Sequence, residues 1–253
     1  MTEQDLLALA ARLAQRAAAA ILTVRDAGFA VERKEDMSPV TAADRLAEAL
    51  ITEGLREATP EIPVVAEEEC SAGIITAAAP RYWLVDPLDG TREFAAGREE
   101  FTVNIGLVEK GRPLLGAVAI PATGELFTGL VGRGAWKRDA AGERPIQARR
   151  PPPEGLTVMA SRHYRDDPRL PEFLAGRRVA RIVQIGSAVK FCRLAEGVAD
   201  LYPRFGRTME WDTAAPEAVL VAAGGRVTNF DGTPLAYGKP GWENQPFLCH
   251  GAA

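Results

Sequence analysis

Asp86 and Asp89 stand three residues apart in the stretch Asp86-Pro87-Leu88-Asp89-Gly90-Thr91, directly behind the apolar run Tyr82-Trp83-Leu84-Val85. The run reads as a buried strand, so two carboxylates sit where it ends. Pro87 has no N–H and a fixed φ, and regular strand pairing is expected to stop there. Gly90 then permits a sharp turn, or a close approach of the backbone to a ligand. Two acidic side chains this close repel unless a cation lies between them. A hard divalent ion such as Mg²⁺ suits carboxylate and carbonyl oxygens. A polar turn whose Asp residues cap a helix would carry the same residues. Further acids fall at element ends. Glu67-Glu68-Glu69 follows the apolar run 62–65, Asp44 lies just inside a helix start, and Asp212 opens another helix behind Trp211. Each has a plain alternative: a solvated loop for the glutamates, a favourable charge near a helix N-terminus for Asp44, an N-cap for Asp212. No histidine stands beside any of them. With only His163 and His250 in the chain, histidine-rich zinc chemistry is disfavoured.

The elements that must carry these groups follow from periodicity. Leu6, Leu9, Leu13, Ala17 and Ile21 recur on one face of a helix over 3–27, and Gly28 is its stop. Residues 29–40 read as a polar loop. Thr41 N-caps a second helix ending near residue 58, with Leu46, Leu50 and Ile51 expected to face inward. A short strand at 62–65 and a loop over 70–80 lead into strands at 81–85, 101–109, 114–120, 126–130 and 135–138. Gly111-Arg112-Pro113 and Ala122-Thr123-Gly124 supply turns, and the stretch reads as an antiparallel meander. Gly129-Leu-Val-Gly-Arg-Gly134 lacks the spacing and the following helix of a glycine-rich nucleotide loop, so it reads as a hairpin. Pro151-Pro152-Pro153 is the best domain boundary, and Arg149-Arg150 before it a boundary charge. It separates an N-terminal α+β lobe over 1–153, with most of the acids, from a C-terminal α/β lobe over 154–253 with Asp212. The second lobe is expected to hold strands at 156–160, 179–183 and 198–202 and helices near 167–175, 187–197 and 212–223. Such an order argues for layered α and β structure, not a doubly wound sheet.

The 253 residues suffice for one large domain or two lobes sharing a core, and a 47% hydrophobic, 25% charged composition places the chain among ordinary globular proteins. A net charge of −4 advertises no polybasic surface, so no nucleic-acid partner is expected. Cys70, Cys192 and Cys249 are far apart and odd in number; no disulfide framework or zinc spacing follows, and a reducing cytoplasm fits. The chain opens with Glu3 and Asp5 instead of a basic segment, and the apolar run 17–24 is short and flanked by Arg16 and Arg25. Neither a signal peptide nor an integral membrane span is expected.

Several separated motifs, in order, resemble the inositol monophosphatase superfamily. They are Ser38-Pro-Val-Thr-Ala-Ala-Asp44, Tyr82-Trp-Leu-Val-Asp-Pro-Leu-Asp-Gly-Thr-Arg-Glu-Phe94, Glu100-Phe-Thr-Val-Asn-Ile105, Gly186-Ser-Ala-Val-Lys-Phe-Cys192, Ala195-Glu-Gly197, Leu201-Tyr-Pro-Arg-Phe-Gly206, Trp211-Asp-Thr-Ala-Ala215 and Gly224-Gly225. They span essentially the whole chain and are most similar to the 3′(2′),5′-bisphosphate nucleotidase branch. The resemblance implies an alternating α/β/α/β/α sandwich and a Mg²⁺-dependent, lithium-sensitive phosphatase using two or three ions. It implies metal ligands at Glu67, Asp86, Asp89 and Asp212 and at the carbonyl of Leu88; Glu67 is chosen among the three glutamates by its offset from Asp86. It implies that Asp44 and Thr91, together with Glu67, position and activate the attacking water.

On the substrate side the resemblance points to Leu88, Asp89, Gly90, Thr91, His163, Gly186, Ser187, Lys190, Arg204 and Asp212. Gly90 and Thr91 would present N–H groups to the phosphate. Ser187 and Lys190, at a helix start, would lie near one phosphate; Lys190 separates this branch from simple inositol phosphatases, with a solvent-facing lysine as the alternative. Arg204 would bind a second phosphate or stack on a base. His163 falls in a nucleotide-contacting loop or is a surface residue, and Cys192 is a small buried hydrophobe. One departure is Pro216, where relatives usually carry Gly; within a first helical turn it is tolerated, and a small local effect is expected. The implied partner is a small-molecule nucleotide bisphosphate, and the implied activity is removal of the 3′-phosphate of adenosine 3′,5′-bisphosphate, linked to sulfate assimilation in the cytoplasm. A peripheral place at the inner face of the cell membrane stays open, and no oligomeric state follows. An inositol or sugar monophosphatase is the alternative substrate class, and a catalytically silent metal-dependent binding protein the alternative of another kind.

Overall fold

The computed structural model of the chain describes residues 1–33, 39–74, 76–77, 79–162 and 167–252; Ser38 and His163 lie outside the described residues. Helix α1 (Glu3–Ala27) starts with a reciprocal cap between Thr2 and Asp5 and ends at Gly28, whose φ is 81°. By length and composition α1 could cross a membrane. Its stripe of Leu6, Leu9, Leu13, Ala17 and Ile21 is instead buried in a core shared with the large sheet below. Where a plain loop is expected, β1 (Val31–Arg33) and β2 (Pro39–Thr41) pair antiparallel. Helix α2 (Ala42–Ala58) starts from Thr41 as expected, but its inner face differs. Leu46 is 47% exposed and Leu50 only half-buried, while Ala43, Asp44, Ala47, Glu48, Ile51 and Leu55 are buried. Two inward carboxylates shift the buried face away from the one that hydrophobicity alone selects.

Next come β3 (Val64–Ala66), α3 (Glu67–Ser71), β4 (Arg81–Asp89), α4 (Thr91–Ala95), β5 (Thr102–Glu109), β6 (Arg112–Ile120), β7 (Glu125–Leu130), β8 (Gly134–Asp139) and β9 (Gly142–Ile146). The seven strands β3 to β9 form one sheet in sequence order, with β3 parallel to β4 and each later pair antiparallel. The expected meander is there, with Gly129 to Gly134 forming the β7–β8 hairpin. Strand β9 is an unexpected edge; Gly-Glu-Arg-Pro-Ile has a loop's composition, and its charges and proline blunt the edge.

Past the prolines come β10 (Leu156–Ser161), α5 (Arg169–Leu174), β11 (Val179–Ile185), α6 (Val189–Ala195), β12 (Leu201–Arg204), α7 (Glu210–Ala222), β13 (Arg226–Asn229) and β14 (Phe247–His250). The second sheet is mixed and runs β11-β10-β12-β14-β13. Helices α1 and α2 cover the outer face of the first sheet. Helices α6 and α7 lie between the sheets, joining Tyr82, Leu84 and Phe127 of one to Tyr202, Phe247 and Cys249 of the other. Helix α5 closes the far side. The result is an α/β/α/β/α sandwich. Cys70, Cys192 and Cys249 are free thiols. Arg149 is more than a boundary charge: its guanidinium forks onto Asp200 at 2.8 and 3.0 Å, and Asp200 also accepts the Thr157 N–H.

Helix α7 reaches the first sheet through a glycine furrow. Gly106, Gly116 and Gly129 are paired neighbours on β5, β6 and β7. A Cβ on Gly106 would stand 2.7 Å from the Ala215 nitrogen, on Gly116 2.2 Å from the Ala215 carbonyl oxygen, and on Gly129 2.6 Å from the Val219 Cα. The helix therefore rests on bare backbone. Pro216 is the seventh residue of α7, one turn deeper than expected. Lacking an N–H, it cannot donate to the Asp212 carbonyl four residues back.

Candidate active site

In a regular strand, residues three apart point to opposite faces. Strand β4 escapes this. Asp86 pairs with Asn104 and Asp89 with Thr102, so Pro87 and Leu88 together oppose Val103. This is a β-bulge. Pairing does not stop at Pro87; it resumes one extra residue later. Thr102 and Asn104 share a face of β5, so the bulge brings Asp86 and Asp89 onto one face as well. The Leu88 N–H donates to Asp86 Oδ1 at 3.0 Å inside the kink. Gly90, with φ 95°, is the N-cap of α4. A Cβ there would lie 3.0 Å from the Glu100 carbonyl oxygen and 3.2 Å from Ser187 Cβ, so three segments meet over it.

Asp44 both serves its own helix start and reaches Thr91. Its Oδ2 accepts the Thr41 N–H and hydroxyl, each at 2.7 Å, which caps α2, while Oδ1 accepts the Thr91 hydroxyl at 3.1 Å. That hydroxyl also lies 3.2 Å from the Leu88 carbonyl oxygen. Burial pushes the Asp44 pKa up, against the hydrogen bonds from Thr41. Glu67 opens α3, Asp86 precedes the bulge, and Asp212 is the third residue of α7; their carboxylate oxygens come within 4.8 Å of one another. Asp212 accepts the Met209 N–H at 2.9 Å. Burial, then the charges of Asp89 and Glu67, push its pKa up. Asp89 stands outside that trio. Its Oδ2 accepts the Ala188 N–H at 2.6 Å and the Thr102 hydroxyl at 3.4 Å, and burial raises its pKa against the pull of Lys190.

This donor set is all oxygen, anionic and crowded, which fits a hard divalent cation. A second observation agrees. Asn104 is 0% exposed, and neither polar atom of its amide has a partner among the described residues. It faces Asp86 across the strands, where Cβ atoms stand about 5 Å apart. A buried amide without partners is costly, and ion-bound water beside Asp86 would satisfy it. Sequence reading quotes Asn104 in a motif without giving it work; the signal available is a polar residue inside the apolar run 101–108.

A cavity of about 720 Å³ opens here, lined by Glu67, Asp89, Thr91, Lys190, Arg204 and Asp212 among others. Ser187 adopts a left-handed backbone, φ 47°. Gly186 lets the loops nest, since a Cβ would fall 2.6 Å from the Glu93 side chain. Lys190 is 2% exposed, not solvent-facing. Its Nζ donates to the carbonyls of Ile185 at 3.1 Å and Ser187 at 2.6 Å and stands 5.1 Å from the centre of the Tyr202 ring. Burial, then the nearby Arg204, push its pKa down to about 7. Arg204 donates from Nη2 to the Arg207 carbonyl at 2.9 Å. Glu93, Arg207 and Trp242 also line the cavity, and sequence reading misses all three. Trp242 and Arg207 belong to irregular segments with no periodicity, while Glu93 sits inside a quoted motif.

Among known proteins, the 3′(2′),5′-bisphosphate nucleotidase CysQ of Salmonella typhimurium is 47% identical over 230 residues, covering 89% of this chain and 91% of the relative. The protein of the same name from Escherichia coli K12 is 45% identical over the same length and shares. The fold superposes on the crystal structure of CysQ from Bacteroides thetaiotaomicron with a TM-score of 0.84 and 32% identity, covering 99% of this chain and 98% of that one. An inositol monophosphatase from Anabaena gives 0.78 and 28%, with coverage of 98% and 91%. The model of the inositol monophosphatase family matches residues 2–246, from the cap of α1 to the residue before β14. With every element that carries the acidic cluster inside that match, the chain belongs to the inositol monophosphatase family.

Proposed function

We propose that this chain is a Mg²⁺-dependent phosphatase that removes the 3′-phosphate of adenosine 3′,5′-bisphosphate, giving AMP and phosphate and clearing that by-product of sulfate assimilation. The observation that carries the substrate is the near-half identity, over nine-tenths of the chain, to relatives named 3′(2′),5′-bisphosphate nucleotidase. A cytoplasmic setting accords with the free thiols.

Glu67, Asp86 and Asp212 would hold the ions, with Asp89 and the Leu88 carbonyl beside them. When bound, Mg²⁺ supplies positive charge that makes water more acidic and offsets the charge of the phosphate. Thr91 donates its proton to Asp44 Oδ1, which leaves its own lone pairs to accept from the attacking water. Asp44, buried and with a raised pKa, is the base toward which that proton is drawn. The water oxygen joins phosphorus as the bond to the ribose 3′-oxygen breaks; that oxygen takes its proton from solvent water, and Asp44 returns the one it received to solvent. Gly90 and Thr91 turn N–H groups toward the phosphate. Lys190 has spent two donors on carbonyls and keeps one N–H for the second, non-reacting phosphate, whose negative charge favours its protonated form, with Arg204 beside it.

A substrate panel tests this. With Mg²⁺, kcat/KM is expected to be highest for adenosine 3′,5′-bisphosphate, Li⁺ to inhibit, and Ca²⁺, which favours looser shells, to fail as a replacement. Equal or faster turnover of inositol 1-phosphate would overturn the substrate assignment.

A further inference from the structure

Helix α3 begins at Glu67, yet its N-cap is Ala66, which has no side chain able to accept from the first N–H groups. The cap comes from another helix. Glu48 of α2, 5% exposed, accepts the Glu68 N–H at 2.7 Å with Oε2 and the Glu69 N–H at 2.8 Å with Oε1. These are the second and third N–H groups of α3, the donors that an N-cap side chain ordinarily satisfies. Glu48 follows Asp44 by four residues and shares its face of α2. Further along α2, Arg56 forks onto Glu69 with two bonds of 2.8 Å. One helix thus holds both the Asp44–Thr91 pair and the turn that starts with Glu67.

We propose that Glu48 is a positioning residue for Glu67: by capping α3 from α2, it sets where the Glu67 carboxylate stands relative to Asp86, Asp212 and Thr91. The inference rests on the metal-dependent reading above. Helix α3 has five residues, little more than one turn. Its internal ladder is too short to fix its direction, so its anchored N–H groups do so. Without the cap, two partly buried donors seek other partners, the turn re-aims, and the carboxylate at its first position moves. Both Glu48 oxygens are occupied by N–H groups, so Glu48 itself is not placed as a ligand. Groups that orient metal ligands typically change metal affinity by about 10- to 100-fold when removed.

The test compares Glu48→Ala and Glu48→Gln with the wild type in three measurements: Mn²⁺ binding to metal-free protein by electron paramagnetic resonance, the Mg²⁺ concentration for half-maximal activity, and melting in EDTA. For Glu48→Ala, Mn²⁺ affinity is expected to fall about 10- to 100-fold and the Mg²⁺ requirement to rise in step. The KM for the nucleotide at saturating Mg²⁺ should stay within about twofold, because Glu48 does not reach the substrate. Glu48→Gln keeps one acceptor and should fall between. A variant that melts earlier but binds Mn²⁺ like the wild type overturns the inference and leaves Glu48 a structural cap. Should Glu48→Ala fail to fold, unchanged Mn²⁺ affinity in Glu48→Gln overturns it equally. A wild type that binds Mn²⁺ but leaves the nucleotide intact refutes the proposed substrate alone, and the Mn²⁺ comparison still decides the role of Glu48.

Discussion

Thr91 is the first residue of α4 and not its cap, because Gly90 holds that position. Its hydroxyl therefore has no capping duty and is engaged by Asp44. Thr91→Ala is expected to lower kcat by at least about 100-fold, the scale of lost help with proton transfer, with KM within a few-fold. Steady-state kinetics beside a melting curve would check this, and normal turnover in a variant that merely melts earlier would refute the role. Asp86→Asn keeps an acceptor for the Leu88 N–H but removes a charge from the trio. Mg²⁺-dependent turnover is expected to fall more than about 100-fold, while melting in EDTA holds or rises, since repulsion among the acids eases. Activity near wild type at saturating Mg²⁺ would remove Asp86 from the metal set. At this scale the sequence is legible where the residues are contiguous, as from Asp86 to Thr91. It is opaque where a partner comes from elsewhere. Nothing local says that Asp89 takes the Ala188 N–H, that Lys190 is buried over Tyr202, or that Glu48 caps α3.

The bulge in β4 and the glycine furrow under α7 are what turn residue types into geometry. The first puts Asp86 and Asp89 on one face; the second lets α7 come close enough to deliver Asp212. Gly116→Ala is expected to destabilise the protein by about 1–3 kcal/mol, the usual range for overpacking, because its Cβ would stand 2.2 Å from the Ala215 oxygen. The shift should also raise the Mg²⁺ requirement, as α7 carries Asp212 away. Thermal melting and a Mg²⁺ titration check both, and a Gly116→Ala protein as stable as the wild type would show that the helix can yield without strain. Elements with strong periodicity or clear turns are legible: α1, α2 and the meander. Strands β13 and β14 have four residues each and no room for a period, and β9 reads as a loop by composition. The inward face of α2 is misread because the carboxylates of Asp44 and Glu48, normally signs of exposure, are its buried groups.

Across the molecule, an ion network ties the first sheet to α6. Glu125 of β7 pairs with Lys137 of β8 and, at 2.7 Å, with Arg193 of α6, and Lys137 also reaches Glu196 at 2.7 Å. Burial alone would raise the Glu125 pKa, but hydrogen bonds from Arg193 and Lys137 outweigh it and hold it down to about 2. A carboxyl depressed in the fold contributes stability that is fully present above its unfolded value, about 4.5, and is lost as pH falls toward 2. Melting temperature is therefore expected to drop between about pH 4.5 and 2 more steeply in the wild type than in Glu125→Gln, which should be less stable at neutral pH by about 3 kcal/mol. Parallel curves for the two proteins would deny the network that role. The layered order is legible from the order of elements, but which helices lie between the sheets is not, because α7 leaves its sequence neighbours to pack on the glycines of β5, β6 and β7. That detour has a consequence during synthesis. The first sheet is complete at Ile146, and α7 begins only at Glu210. A ribosome adding roughly 5–20 residues per second needs several seconds to span the gap. Throughout that time Tyr82, Leu84, Val118 and Phe127 wait without their cover, so a nascent chain halted between the two is a client for chaperones, and a message truncated there yields sticky protein instead of half an enzyme.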